Sequence, residues 1–158
     1  MIGILDTTQI EDLLTHRLIG RIACCSDDVP YVVPISYAYD GKFLYFHTHE
    51  GKKVAIMRSN PQACFQVDHM HDMAHWESVI VRGVYEEVTN AEERESALKL
   101  LVERIFPIIS SATTHLGKSW PFIPEKLNDE IPGVVFRIRI SEKTGRFENN
   151  LHSALISG

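Results

Sequence analysis

Hydrophobic and polar positions change period several times along the chain, and each change marks an element. Ile10, Leu13 and Leu14 fall on one face of a short helix within residues 1–17, and Thr8-Gln9-Ile10-Glu11 reads as its capping box. Leu18-Ile19-Gly20 leads into a strand over Arg21–Cys25, and Ser26-Asp27-Asp28 forms a turn. Pro30 opens an alternating stretch, Tyr31–Tyr39, that predicts a second strand. Pro34 lies inside it and cannot donate to a ladder, so this strand is at an edge or is bulged there. Asp40-Gly41 is a hairpin turn that pairs it with Phe43–Thr48, a run dense in aromatic and β-forming residues.

The period then shifts. Val54–Met57, flanked by Lys52, Lys53 and Arg58, predicts one or two turns of helix, which Asn60-Pro61 ends. Ala63–Asp68 is a strand, His69–His75 an irregular connection, and Ser78–Val88 a long strand in which Gly83 marks a bulge or bend. Thr89-Asn90-Ala91-Glu92 caps an amphipathic helix running from Ala91 to about Phe106, with Ala97, Leu98, Leu101, Val102 and Ile105 on its buried face. Pro107 to Ile131 reads as loop, with Pro107, Pro121 and Pro124 in it. Val134–Ile140 is the last strand, Thr144-Gly145 a turn, and residues 147–158 a tail. Strands follow one another through hairpins rather than alternating with helices. That order predicts a mainly β domain of about six strands, a mostly antiparallel sheet or barrel with peripheral helices.

Composition narrows the classes. A chain of 158 residues with 44% hydrophobic content makes one domain with a real core. A formal net charge of -5 argues against a nucleic-acid footprint. No run approaches the ~20 apolar residues of a membrane span. Met1–Asp12 lacks the basic region and long apolar run of a secretory signal, so a cytoplasmic protein is expected. The three cysteines, two of them adjacent at Cys24-Cys25, contain no C-x-x-C pair and suggest reduced thiols. Cys24 reads as a small core residue with Cys25 on the opposite face, or else as a nucleophile paired with a distant histidine.

The chemistry concentrates at Thr48-His49-Glu50-Gly51-Lys52-Lys53. A strand passing through a glycine turn into a helix N-terminus offers free backbone N–H groups and the positive end of a helix dipole. Two lysines and the Thr48 hydroxyl at that point suit a phosphate monoester. A surface helix with solvated lysines fits the same residues, and the two readings stand side by side. No G-x-G-x-x-G is present, and Gly117-Lys118-Ser119 lacks the earlier glycine of a P-loop because Ala112 occupies it. His69, His71 and His75, with Asp68 and Asp72, are candidate metal ligands; a polar histidine-rich loop without a structural metal is the expectation. Glu92-Glu93-Arg94-Glu95 is a solvated helix face.

The ordered set Gly20-Arg21-Ile22-Ala23, Pro30–Tyr37, Gly41–Thr48, Gly51-Lys52-Lys53, Asn60-Pro61 and Trp76–Gly83 resembles the FMN-binding split barrels of the pyridoxamine 5′-phosphate oxidase superfamily, in particular its nitroimidazole-resistance branch. The resemblance covers Leu18 to about Arg146. It implies a six-stranded antiparallel split β-barrel and a homodimer with FMN between the subunits. By the same resemblance Val33, Pro34, Ile35, Ser36 and Tyr37 line the isoalloxazine ring, and Phe46, His47 and Thr48 run beside ring and ribityl chain. Gly51, Lys52 and Lys53 take the phosphate, Ser78 approaches the flavin of the other subunit, and Trp120 lies in a covering loop. Aromatic side chains at Tyr37, Phe46 and Trp120 are expected to form the ring slot. The basic residues of true pyridoxamine phosphate oxidases are missing from Val33–Tyr37 and from Arg146-Phe147-Glu148, so vitamin B6 oxidation is not expected. The reading is an FMN-dependent oxidoreductase that reduces a small organic substrate such as a 5-nitroimidazole, with NAD(P)H as a possible donor. The alternatives are a haem-handling protein on the same barrel, with eight histidines to offer, and a flavin binder without turnover.

Overall fold

A computed structural model describes residues 1–109 and 131–150, the side chains of 105–109 excepted. Its described elements are β1 (Ile2–Ile4), α1 (Thr7–His16), β2 (Ile19–Ser26), β3 (Val29–Ser36), β4 (Ala38–Tyr39), β5 (Phe43–Thr48), α2 (Lys52–Ser59), β6 (Gln62–Asp72), β7 (His75–Glu87), α3 (Ala91–Ile109) and β8 (Val134–Asn149). The strands form one antiparallel sheet in the order β3-β2-β6-β7-β8-β5-β4, and β1 joins the far end of β8.

Alternation puts Ile22, Cys24, Leu44, Phe46, Phe65, Val67, Val79, Val81, Phe136 and Ile138 on one face, all buried. The sheet curls so that these residues meet. Phe46 of β5 stacks on Phe136 of β8 at 4.8 Å, and its ring also reaches Phe65 of β6, edge-on at 5.5 Å across the interior. Curling needs a bend in the two longest strands, and Gly83 supplies it. The β7–β8 register slips between Arg82 and Gly83, where β8 carries one extra residue, Ser141. Helix α1 closes one end with Ile10, Leu13 and Leu14, and the buried Tyr37 hydroxyl donates to the Leu14 carbonyl at 2.7 Å. Helix α3 lays Ala97, Leu98, Leu101 and Val102 against Ala38, Val88 and Val135 in a second core on the outside of the sheet.

Several expectations need correction. The capping box is Asp6 with Gln9, two residues earlier than Thr8–Glu11: each residue's side chain accepts the other's backbone N–H at 2.9 Å. The stretch Tyr31–Tyr39 is two strands. β3 pairs along its whole length with β2, and only Ala38-Tyr39 pairs with β5 through the Asp40-Gly41 turn. His69–His75 is mostly strand, closing the β6–β7 hairpin around Met73-Ala74. Thr144-Gly145 is not a turn; β8 runs through it, pairing with Ile80 and Val79, and then with β1 as far as Glu148. Among the described residues the sheet therefore has eight strands, β1 and β4 being the short additions. Helix α3 continues through Pro107 to Ile109. Pro34 does lie on an edge strand, and Cys24 is a core residue. The side chain of Ile105, the segment 110–130 with Trp120, Pro121, Pro124 and Gly117-Lys118-Ser119, and the tail beyond Asn150 lie outside the described residues.

Gly83 gives a direct test of the bend. A Cβ there would sit 2.4 Å from the Arg139 carbonyl oxygen and 2.6 Å from Ile138 Cγ2. Gly83→Ala should therefore destabilise the fold by about 2–3 kcal/mol in urea unfolding, as overpacking against backbone does. A change below about 0.5 kcal/mol, the scale of an unremarkable surface substitution, would show that the strands tolerate the methyl group and that the bend does not depend on glycine.

Candidate functional site

β3 is a sheet edge, and its hydrogen-bonding phase follows from one bond. The Tyr37 N–H donates to Leu18 carbonyl at 3.1 Å, in register with the Ile19–Ser36 pair. Tyr37, Ile35, Val33 and Tyr31 therefore turn their backbone groups towards β2, while Ser36, Pro34, Val32 and Pro30 turn theirs outward. Both prolines occupy outward slots, where the missing N–H breaks no ladder bond. The free edge offers the Val32 and Ser36 N–H groups and the Val32, Pro34 and Ser36 carbonyls. Val33 and Ile35 are half-buried against the core, and Pro34 and Ser36 are exposed.

Helix α2 begins beside this edge. Its N-cap, Gly51, makes no side-chain cap bond. Its φ of 175° is extended backbone open to any residue, and a Cβ there would meet nothing nearer than His49 O at 4.0 Å. Glycine is therefore not required for the turn, contrary to expectation; what it leaves is open space in front of the first N–H groups. The Lys52 ammonium lies 5.1 Å from the centre of the Tyr31 ring on β3. Lys53 is half-buried, and neither lysine makes an ion pair with another described residue.

The structure takes two aromatics out of the expected ring slot. Tyr37 and Phe46 are fully buried, Tyr37 against Phe65 and Phe46 between Phe65 and Phe136. Their side chains build the core and present no surface to a ligand. Thr48 is half-buried at the end of β5, four residues before Lys52. His47 points to the start of β8, where its Nε2–H donates to the Pro132 carbonyl at 2.8 Å. Burial holds its imidazole below the ordinary 6.5, the bond to Pro132 opposing this and the nearby Arg94 adding to it. Arg94 donates to the carbonyls of Ile131 and Gly133, so three successive carbonyls ahead of β8 are held. Gly133 fits there with φ +108° and a virtual Cβ 2.7 Å from Thr48 O.

Ser78 faces outward on β7, where Gln66 donates to its hydroxyl at 3.0 Å and also to Asp68 at 2.9 Å; Arg21 pairs with Asp68 at 3.0 Å. Ser78 is three strands from β3, roughly 14 Å by strand spacing. Within one chain it does not join the β3–α2 group. The same outer face exposes Ile19 at 57%, Val32 at 63%, Met70 at 62% and Ile80 at 42%, set among the polar Arg21, Gln66, Asp68 and Ser78. Trp120 lies outside the described residues.

One group near α2 was not singled out from the sequence. Glu50 and Glu87 bind Arg58 from two sides. Tyr85 donates to Glu87 at 2.8 Å. Their signal was only a lone arginine in a short helix. In the β6–β7 hairpin, Asp72 holds the His75 Nδ1 at 2.8 Å and the His71 and His75 rings stand 6.4 Å apart. With Trp76 and Phe147 they line a cleft of about 270 Å³. Among the described residues no three His, Cys, Asp or Glu side chains are placed to share a metal ion.

A curled antiparallel sheet with a plugged end, an open edge strand and a helix N-terminus beside it is a split barrel. The family model for pyridoxamine 5′-phosphate oxidase matches residues 6–147, and the chain belongs to that family. It is 33% identical over 149 residues to an uncharacterised protein of Rhizobium meliloti, covering 92% of this chain and 94% of the relative. Among solved structures, a FAD-binding protein from Mesorhizobium loti is 31% identical with a TM-score of 0.72, covering 94% of this chain and 99% of its own. A FAD-binding protein from Mycobacterium smegmatis is 26% identical with a TM-score of 0.60, over 92% and 98% of the two chains. A protein from Bacteroides thetaiotaomicron assigned to 5-nitroimidazole antibiotic resistance shares the fold at 18% identity and a TM-score of 0.69, over 93% and 87%. No helix among the described residues is long and apolar enough to cross a membrane.

His47 gives this region a pH dependence. Its folded-state value is depressed, so between that value and about 6.5 the unfolded chain binds the proton and the folded chain does not. The His47 contribution is complete above pH 6.5 and is lost as the pH falls below it. Urea unfolding from pH 7.5 to 5 should show wild type losing more stability than His47→Gln, which keeps a donor for Pro132 without titrating. Parallel losses in the two proteins would place the effect elsewhere.

Proposed function

We propose that the protein is a flavin-binding oxidoreductase that works as a two-fold homodimer and reduces a small organic substrate. The observation that carries this is the uncapped N-terminus of α2, with Lys52 and Lys53 unpaired beside the exposed edge of β3. These residues fit a flavin phosphate. The first N–H groups of α2, the two ammonium groups and the Thr48 hydroxyl are donors, and the missing Cβ of Gly51 leaves room for the oxygens. The β3 edge fits the polar rim of a planar ring, with N–H groups at Val32 and Ser36 and only an acceptor at Pro34. The apolar face of the slot then falls to Val33 and Ile35 at the edge and to a second copy.

The second copy follows from Ser78 and its neighbours. Ser78 lies three strands from the site of its own chain, and an isologous contact through the outer face, where Ile80 is exposed among Gln66, Ser78 and Thr144, would carry Ser78 to the partner's flavin. Two relatives above 25% identity are FAD-binding proteins, which favours the dinucleotide over the FMN that the sequence resemblance implies. The flavin, once bound, supplies the electron transfer. This chain's residues bind it, orient it and shield it from water. NAD(P)H is the reductant we propose, and nitroaromatics are the substrate class to assay first.

Titration of the apo-protein with FAD, FMN and riboflavin tests the anchor. Each charge-assisted contact contributes roughly 1.5–3 kcal/mol, so Lys52→Ala with Lys53→Ala should weaken both nucleotides on the order of 100-fold or more. Riboflavin, which has no phosphate, should bind wild type and double mutant alike. Unchanged nucleotide affinity, or equal losses for all three ligands, would move the phosphate elsewhere.

Assembly is tested by the mass of the flavin-loaded protein at micromolar concentration. Two copies are expected, and Ile80→Arg should yield monomers that release flavin. A flavin-loaded monomer would remove the second copy from the site.

A further inference from the structure

Arg58 sits in the last turn of α2, yet its guanidinium runs back along the helix towards residue 50. Its Nη1 and Nη2 donate to the two carboxylate oxygens of Glu50 at 2.9 and 2.8 Å. Its Nε donates to Glu87, which is also held by the Tyr85 hydroxyl on β7. Glu50 is the residue immediately before the α2 N-cap. An unpaired carboxylate at that point would act against an anion twice. It would accept the N–H and ammonium donors that a phosphate needs, and it would repel the phosphate charge. The two-pronged pairing with Arg58 balances the Glu50 charge and occupies both of its oxygens. Both side chains are largely exposed, so the pair adds little to stability, and its consequence lies in where it leaves the charge.

We propose that Arg58 is a positioning residue for the anion site: it holds the Glu50 carboxylate off the N-terminus of α2 and thereby sets the affinity for a flavin nucleotide without touching it. This deepens the flavin reading above and rests on it. It also assigns Arg58 a role other than phosphate ligand, since all three of its donor nitrogens are engaged by carboxylates.

The test is a double-mutant cycle on the full chain, read by titration with FAD and with riboflavin. A carboxylate freed within about 8–10 Å of a phosphate dianion costs on the order of tenfold in affinity at low salt. Arg58→Gln should therefore weaken FAD about tenfold, and the loss should shrink as salt is raised. Riboflavin binding should be unchanged. Glu50→Gln combined with Arg58→Gln should return FAD affinity to the wild-type level, because the charge that Arg58 restrains is gone. The proposal is overturned if Arg58→Gln binds FAD as wild type does, if the double variant stays as weak as Arg58→Gln, or if riboflavin weakens by the same factor. The last two patterns are those of a merely structural role. Wild type that binds neither ligand would remove the flavin reading and this inference with it; wild type that binds FAD, with Arg58→Gln unaffected, removes the inference alone.

Discussion

The one-residue slip between β7 and β8 is the constraint on which the other features depend. These two strands carry the longest pairing among the described residues, from His75 to Glu87 against Asn149 to Phe136. Without the slip they would form a long ribbon with one face in solvent. With it, β8 bends enough to pair β5 along its first half and β1 at its end, and the two ends of the sheet turn towards each other. A side chain at the bend would push against the Arg139 backbone, so the position is confined to glycine. The interior that results is just wide enough for Phe46, Phe65 and Phe136 to meet from three strands.

That interior explains why the candidate site is built mostly of backbone and charge. The large aromatics near β3 and β5 are spent on the core: Tyr37 and Phe46 have no surface left, and the Tyr37 hydroxyl is used to fasten α1. What faces outward at the edge is the polar rim of β3, in the phase set by the Tyr37–Leu18 bond. Pro30 and Pro34 remove donors from that rim without disturbing the sheet, and they also discourage pairing with a stray strand. An edge left open but blunted in this way suits a ligand better than it suits another strand.

Much of this was legible in the sequence, for identifiable reasons. Alternation marked Tyr31–Tyr39 as strand and a run of β-forming residues marked β5, because a half-buried strand must alternate and favours such side chains. Gly83 and Pro34 were read correctly because each breaks a rule that only a bulge or an edge excuses. The errors came where local pattern and tertiary pairing disagree. Thr144-Gly145 has the composition of a turn, but pairing with Ile80 and Val79 overrides it. Ile2–Ile4 is too short to show a period, and it becomes a strand only because β8 is there to receive it. Phe46 and Tyr37 illustrate a different limit. Sequence places an aromatic on a strand near a site, but which face it takes depends on the curl of the whole sheet. The Glu50–Arg58–Glu87 group was invisible for the same reason, since Glu87 arrives from a strand 29 positions after Arg58.

In an acidic protein, a site for an anion has to be made by arranging charges rather than accumulating them. Here the net charge is -5, and most described arginines are already committed. Arg21 pairs with Asp68, Arg58 with Glu50 and Glu87, Arg82 with Glu142, and Arg137 and Arg139 with Glu86. Arg94 and Arg104 are bound to backbone carbonyls. Each pairing with an acid removes a cation from competition and quiets a carboxylate at once. Lys52 and Lys53 are left as unpaired cations at a point where the helix dipole and free N–H groups add to their field. The field at this helix end thus depends on the pairing of the surrounding acids as much as on the two lysines, and an acid left unpaired next to the helix would cancel much of what the lysines provide.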